Sequence, residues 1–346
     1  MLTRTHEGRT RTRTRTRTRH HAVKQSSKKT MRNDEEDGRG GGGGGITCGA
    51  VTVGLDLQAL PEGCIANVIS LTTPPDACRL SSVSRSFRSA AESDSVWSRF
   101  LPPEIPTILS HSGPHAPSCR SKSKEFYLAL CDNPVLIDDG KMSFSLDKWS
   151  GKKCYMVSAR DLVIVWADTP NYWKWISLPE SRFEEVAELV GVCWLEIRGK
   201  IDTRLLSPST VYKAYLVFKS TAAAYGFDYQ PAEVSVGLVG GEEPTKNPVF
   251  LVADSGRTQS SQIVPRRLGL HLRNRILVQV SQPRETNDNQ YPKERADGWL
   301  EIELGEFFCE GGVDGELEMT CLETSGGQWK GGLIVQGIEV RPKRKS

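Results

Sequence analysis

The sequence lacks the short signatures that announce bond chemistry: no nucleophile elbow, no H-E-x-x-H pair and no G-K-[ST] phosphate loop. Its nine cysteines are odd in number, widely scattered and form no C-x-x-C pair, so they read as reduced thiols of the cytoplasm or nucleus. No apolar signal-peptide core follows Met1, and no run is long enough to span a bilayer. No N-x-S/T acceptor occurs either. His111, His115 and Cys119 have a loosely metal-like spacing, but no fourth ligand accompanies them in their Pro- and Ser-rich segment. No metal, no cofactor and no membrane partner are expected.

Charge is present but unevenly placed. Residues Met1–Arg32 hold eleven Lys or Arg and one Glu, whereas the remainder holds 34 basic and 41 acidic residues. A net-acidic folded part argues against a specific nucleic-acid ligand. The Arg-Thr repeat from Thr10 to Arg19 and the glycine run from Gly40 to Gly45 have no apolar surface to bury. Residues 1–50 are therefore expected to be a disordered tail, with Met31 a plausible alternative start.

Leu57 to Leu101 reads as a helical block of three helices. Leu60-Pro61-Glu62 opens the first, followed by Ile65, Val68 and Ile69 at helical spacing. Pro74 and Pro75 end it, with Asp76 as the next cap. Ala77, Leu80, Val83 and Phe87 form the stripe of the second helix, and Val96, Trp97 and Phe100 mark the last. About 45 residues are too few for a stable isolated core, so such a block should bury its remaining face on a partner.

Glu104 to Lys122 reads as a connector, then Lys124–Cys131 as a short helix and Met142–Leu146 as a first strand. Lys153 to Ile201 holds Trp166, Trp173, Trp175 and Trp194, half of the chain's eight tryptophans. Leu162–Trp166 has the pattern of a strand covered on both faces, and Asp168, Pro170 and Asn171 break it. From Val192, Cys193, Leu195 and Ile197 alternate with Trp194, Glu196, Arg198 and Lys200, a half-buried antiparallel strand. Further strands read at Val211–Lys219, Val234–Val239, Val249–Ala253, Ile276–Val280, Trp299–Leu304, Glu316–Cys321 and Leu333–Val340, with Ser220–Asp228 and Arg284–Asp297 as polar insertions.

Two resemblances overlay this reading. LPEGCIANVISL, VSRSF and VWSRFLP resemble an F-box, with Phe87 where many F-boxes carry Trp. SARDLVIVW, DTPNYWKWISLPESRF, VCWLEIRGKIDTRLLSPSTVYKAYLVFK and the later DGWLEIELGEFF, DGELEM and GGLIVQGIEVRP resemble the phloem-protein-two, or Nictaba-like, lectins. Together they imply an all-α F-box at 55–102, a linker at 103–123 and an antiparallel β-sandwich lectin domain at 124–343. The F-box resemblance implies a Skp-type adaptor, and through it a cullin, as partners, contacted by Leu60, Pro61, Ile65, Val68, Val83, Phe87 and Trp97. The lectin resemblance implies binding of N-acetylglucosamine oligomers, N-glycan cores or glycoproteins. It assigns Trp166 and Trp173 as stacking rings and Glu316 and Glu323 as acidic partners.

The chain so read is a non-catalytic substrate receptor of a ubiquitin ligase. A sandwich that grips a protein surface without sugar affinity, and a stand-alone stress lectin with a vestigial F-box, remain open alternatives. Trp173, beyond the turn, is expected to be exposed, and Trp166, closing an apolar run, to be partly core. Glu316 and Glu323 have opposite parity on a strand and span about 23 Å if it is straight. They can share one small site only if the strand ends or bulges between them.

Overall fold

The computed structural model describes residues 60–113, 122–227, 230–252, 290–312 and 315–344. The predicted tail, the strand expected at Ile276–Val280, and His115 and Cys119 lie outside them. No helix among the described residues is long and apolar enough to cross a membrane.

Four helices build the N-terminal block: α1 (Glu62–Ser70), α2 (Pro74–Leu80), α3 (Arg85–Glu92) and α4 (Asp94–Phe100). Pro74 and Pro75 open α2 as well as ending α1. Proline in a first turn has no N–H to leave orphaned, and Thr73 is the cap, its Oγ1 accepting from the Asp76 N–H at 3.3 Å. Ser84 caps α3 by accepting from the Phe87 N–H at 3.3 Å. That cap divides the expected single stripe Ala77–Phe87 between two helices and leaves Val83 exposed in the turn.

Two more helices follow, α5 (Ile105–Ser110) and α6 (Ser123–Asp132). The first falls in the stretch read as a connector, where Ile105 is buried and Ile108 and Leu109 pack on the core. Trp97 of α4 and Tyr127 of α6 meet with ring centroids 5.3 Å apart. The Asp94 carboxylate accepts from the Ser123 N–H at 2.7 Å, and the Tyr127 hydroxyl donates to the Asp147 carbonyl at 3.3 Å. One hydrophobic core therefore runs unbroken from Ile65 of the helices to Val340 of the sheets.

Fourteen strands are described: β1 (Val135–Ile137), β2 (Met142–Leu146), β3 (Lys153–Ser158), β4 (Val163–Ile164), β5 (Trp173–Ile176), β6 (Val186–Leu189) and β7 (Leu195–Asp202), then β8 (Thr210–Tyr225), β9 (Ala232–Leu238), β10 (Asn247–Val249), β11 (Lys293–Glu294), β12 (Leu300–Cys309), β13 (Glu316–Glu323) and β14 (Gly331–Pro342). They form two antiparallel sheets. The larger runs β1-β2-β3-β14-β8-β12-β11, with β6 also on β14 and β5 on β6; the smaller runs β10-β9-β13-β7-β4. Along β7 burial alternates as expected, Leu195, Ile197 and Ile201 inward and Glu196, Arg198 and Lys200 outward. Apolar side chains at every second position fix the register, because a slip of one residue would turn them all to solvent.

Several strand readings change: the strand expected at Val249–Ala253 is β10 at Asn247–Val249, and β11 lies inside the expected insertion Arg284–Asp297. The Ser220–Asp228 insertion is shorter than expected, because β8 continues to Tyr225, with Leu333 opposite Ser220 and Gly331 opposite Tyr225. The run Leu162–Trp166 yields only the two-residue edge strand β4, with Ile164 buried and Val163 exposed, so it is not covered on both faces.

An ion cluster sits on β14. The Glu339 carboxylate lies 3.1, 2.7 and 2.9 Å from the guanidinium groups of Arg182, Arg295 and Arg341, and Glu301 accepts from Arg295 at 2.8 Å. Burial acts to raise the Glu339 carboxyl, but Arg182, Arg295 and Arg341 outweigh it and hold it at about 2.

Candidate functional site

The chain leaves β4 through Val165, whose N–H donates to the Glu196 carbonyl at 3.1 Å, and enters Trp166 at φ +63°. A left-handed backbone costs a bulky L-residue roughly 1–2 kcal/mol and persists only where neighbours fix it. Here the Ala167 N–H donates to Ile164 at 3.2 Å and the Thr169 N–H to Trp166 at 2.9 Å. The Trp166 ring stands 42% exposed.

The turn closes when the N–H groups of Tyr172 and Trp173 both donate to the Thr169 carbonyl, at 2.9 and 3.0 Å. Tyr172 thereby meets Trp166 with centroids 5.3 Å apart and planes tilted by 40°. Tyr172 also meets Trp329, 6.4 Å away and tilted by 37°. Trp329 is 55% exposed. Trp166, Tyr172 and Trp329 thus make a row of three rings, a surface against which the C–H face of a ring-shaped ligand can rest.

Trp329 comes from the loop between β13 and β14, and that loop is anchored from below. Glu323, the last residue of β13, and Lys330, the last before β14, are both buried and form an ion pair. The Glu323 Oε1 also accepts from the Gly326 N–H at 3.1 Å. Lys330 donates through Nζ to the Cys193 carbonyl at 3.3 Å, and its backbone exchanges bonds with Val192 at 2.8 and 2.9 Å. Gly331 follows because nothing larger fits: a Cβ there would lie 2.5 Å from the Val190 carbonyl and 2.8 Å from the Tyr225 ring. A hollow of about 260 Å³, lined by Gln230, Lys246, Thr324 and Glu323 among others, opens beside the loop. Larger clefts of about 600 and 610 Å³ are lined by none of the three rings.

Trp194 is also exposed, but its Nε1–H is engaged with Glu196 at 2.9 Å. Hydrogen bonds from Arg198 and Trp194 hold the Glu196 carboxyl below its ordinary range.

The four residues expected at a ligand site are thus dispersed. Trp166 is in the row. Trp173 is a correction: it is 2% exposed, because it begins β5 opposite Leu189 and turns inward. Its Nε1–H finds no hydrogen-bond partner among the described residues. Glu323 lies under the row, paired with Lys330 rather than open to solvent. Glu316 is at the far end of β13, opposite Asp202, and binds Lys200 at 2.7 Å. Tyr172 and Trp329 were not anticipated, although a tryptophan closing the Gly- and Ser-bearing stretch Ser325-Gly326-Gly327-Gln328 is a signal in its own right.

A second surface lies on the helical block. Leu60, Pro61, Val68 and Val83 are exposed, and Leu71 joins them at 66%. Cys64, Val68 and Leu71 form an outward stripe on and just beyond α1, opposite the buried Ile65 and Ile69. Ile65, Phe87 and Trp97, expected in the same interface, belong instead to the core. Trp97 is 1% exposed, and its Nε1–H donates to the Ala91 carbonyl at 2.7 Å.

A family model described as phloem protein 2 matches residues 152–342. The chain belongs to the phloem protein 2 family. An F-box-like model matches residues 57–103, ahead of the phloem protein 2 region. Among similar proteins is F-box protein At2g02240 of Arabidopsis thaliana, 47% identical, covering 83% of this chain and 80% of the relative. F-box protein PP2-B1 of the same plant is 45% identical over 86% of this chain and 93% of its own length. A family 35 carbohydrate binding module from Clostridium thermocellum aligns at 10% identity and a TM-score of 0.28, covering 54% of this chain and 96% of that one, too slight a likeness to build on. In this phloem protein 2 chain the ring row and the exposed helical stripe are carried by the two matched regions, respectively.

Proposed function

We propose that this chain is a substrate receptor of a Skp–cullin–F-box ubiquitin ligase, and that its sandwich holds carbohydrate or glycoprotein on the row Trp166–Tyr172–Trp329. That row carries the reading: three rings in sequence, two of them large and exposed, offer aromatic faces, and a pyranose can rest its apolar C–H face on one of them. The stripe Cys64–Val68–Leu71, with Leu60 and Val83, supports docking of a Skp-type adaptor, since helical apolar side chains left in water gain by being covered.

The reading is non-catalytic. A glycoside hydrolase needs two carboxyl groups about 5–9.5 Å apart across the scissile bond. Glu316 and Glu323 stand at opposite ends of β13, and each is engaged by a lysine. Action in the cytoplasm or nucleus belongs to this reading, resting on the odd number and scattered spacing of the cysteines in the sequence.

The test is a glycan array probed with the purified chain, together with co-purification against Skp-type adaptors. Retention on N-acetylglucosamine oligomers or N-glycan cores is expected, at micromolar to millimolar affinity, roughly −8 to −4 kcal/mol. Silence across the array overturns the carbohydrate half; absence of any adaptor overturns the ligase half.

A further inference from the structure

Glu323 and Lys330 bracket the loop that carries Trp329. The pair closes Thr324–Trp329 at its base, one partner ending β13 and the other preceding β14. Both side chains are almost wholly buried, Glu323 at 5% and Lys330 at 1% exposed. A buried ion pair is a poor source of net stability, because desolvation consumes most of the attraction; its best-attested use is to fix one arrangement among several. Here the arrangement it can fix is plain. Lys330 is adjacent to Trp329, its backbone is bridged to Val192, and its ammonium reaches the Cys193 carbonyl. The Glu323 carboxylate holds the other arm through the Gly326 N–H. Charge, backbone bridge and loop hydrogen bond all converge beneath one exposed ring.

We infer that the Glu323–Lys330 pair positions Trp329, so that Glu323 acts on a ligand of the ring row through Trp329 and not by touching it. The ligand part of this rests on the carbohydrate reading above; the loop part does not. Direct contact is the competing account, since Glu323 also borders the hollow beside Gln230 and Thr324.

The full chain decides between them in two measurements. The first is a double-mutant cycle of Glu323→Gln and Trp329→Ala, read by calorimetry with the N-acetylglucosamine trimer. Glu323→Gln keeps the shape and an acceptor for Gly326 but removes the charge. Each single variant should weaken binding about tenfold, while adding Glu323→Gln to Trp329→Ala should change it by less than about twofold. A further tenfold loss in the Trp329→Ala background means direct contact and overturns the inference. The second measurement needs no ligand: hydrogen exchange of the amides of 324–329 should quicken at least about tenfold in Glu323→Gln, with β13 and β14 still protected. Unchanged exchange in that loop also overturns it. If the native chain binds no sugar, the carbohydrate reading fails, and the exchange result alone decides whether the pair holds the loop. Should Glu323→Gln not fold, Glu323→Gln with Lys330→Met leaves no unpaired buried charge and takes its place in both measurements.

Discussion

The rings of Trp166 and Tyr172 lie 5.3 Å apart, joined by a turn that Trp166 enters at φ +63°. The next residue, Trp173, begins β5 and is buried. Neighbouring aromatics thus have opposite fates, one set by the turn and the other by the pleat, where successive side chains take opposite faces.

That contrast separates binding from stability. Trp329→Ala should leave the melting temperature nearly unchanged and remove most affinity for N-acetylglucosamine oligomers. Trp173→Ala should cost about 3–5 kcal/mol of stability, because it empties a buried site. Thermal melts beside calorimetry check both; a stable Trp173→Ala protein would mean that the ring does not fill the core.

The backbone of Trp166 offers its own measurement. At φ +63° glycine is unstrained and alanine is not. Trp166→Gly should therefore be more stable than Trp166→Ala by about 1 kcal/mol, although both lose the ring. Equal urea midpoints for the two variants would count against a left-handed residue at this position.

On the helical block, Val68→Glu changes an exposed side chain and should abolish co-purification with a Skp-type adaptor while leaving circular dichroism and melting temperature intact. Trp97→Ala should instead unfold the block, at a cost of about 3–5 kcal/mol. An adaptor that still binds Val68→Glu at full strength would place the interface elsewhere.

Acid should loosen the ion cluster on β14. The Glu339 carboxyl is held at about 2, below its ordinary 4.5, so the unfolded chain binds its proton first as pH falls. The stabilisation is therefore complete above pH 4.5 and is lost as pH falls from there through about 2. It amounts to roughly 3 kcal/mol, taken as order of magnitude. Glu339→Gln should be less stable at neutral pH and should flatten the acid limb of stability between pH 4.5 and 2, as followed by urea melts across that range. An unaltered acid limb would mean that the carboxylate is not held by its arginines.

Much of this architecture was legible in the residues. The alternation through Leu195–Ile201 gave β7 and its faces, and the helical stripes gave α1 and α6, because period and burial are local properties of sequence. The site was half legible. Trp166 was singled out, but Trp173, expected to be exposed, is buried, since the left-handed turn that decides which ring faces outward is made by backbone bonds and not by a composition signal. The surroundings of Trp329 were not legible for another reason. Tyr172 and Val192, which flank it, are brought there by pairing of distant strands, β14 against β6 and β8, which no local window contains.

The shared core between helices and sheets has a mechanical consequence. Trp97 against Tyr127 and Asp94 against Ser123 tie the helical block, with its exposed stripe, to α6, and Trp97 and Tyr127 belong to the core shared with the sheets. On the proposed ligase reading, that shared core would hold the cargo at a set bearing to the adaptor, like a bracket rather than a tether. Which lysine of the cargo meets the ubiquitin would then be settled by the cargo's own reach, by where its sugar is attached and how far its chain can swing.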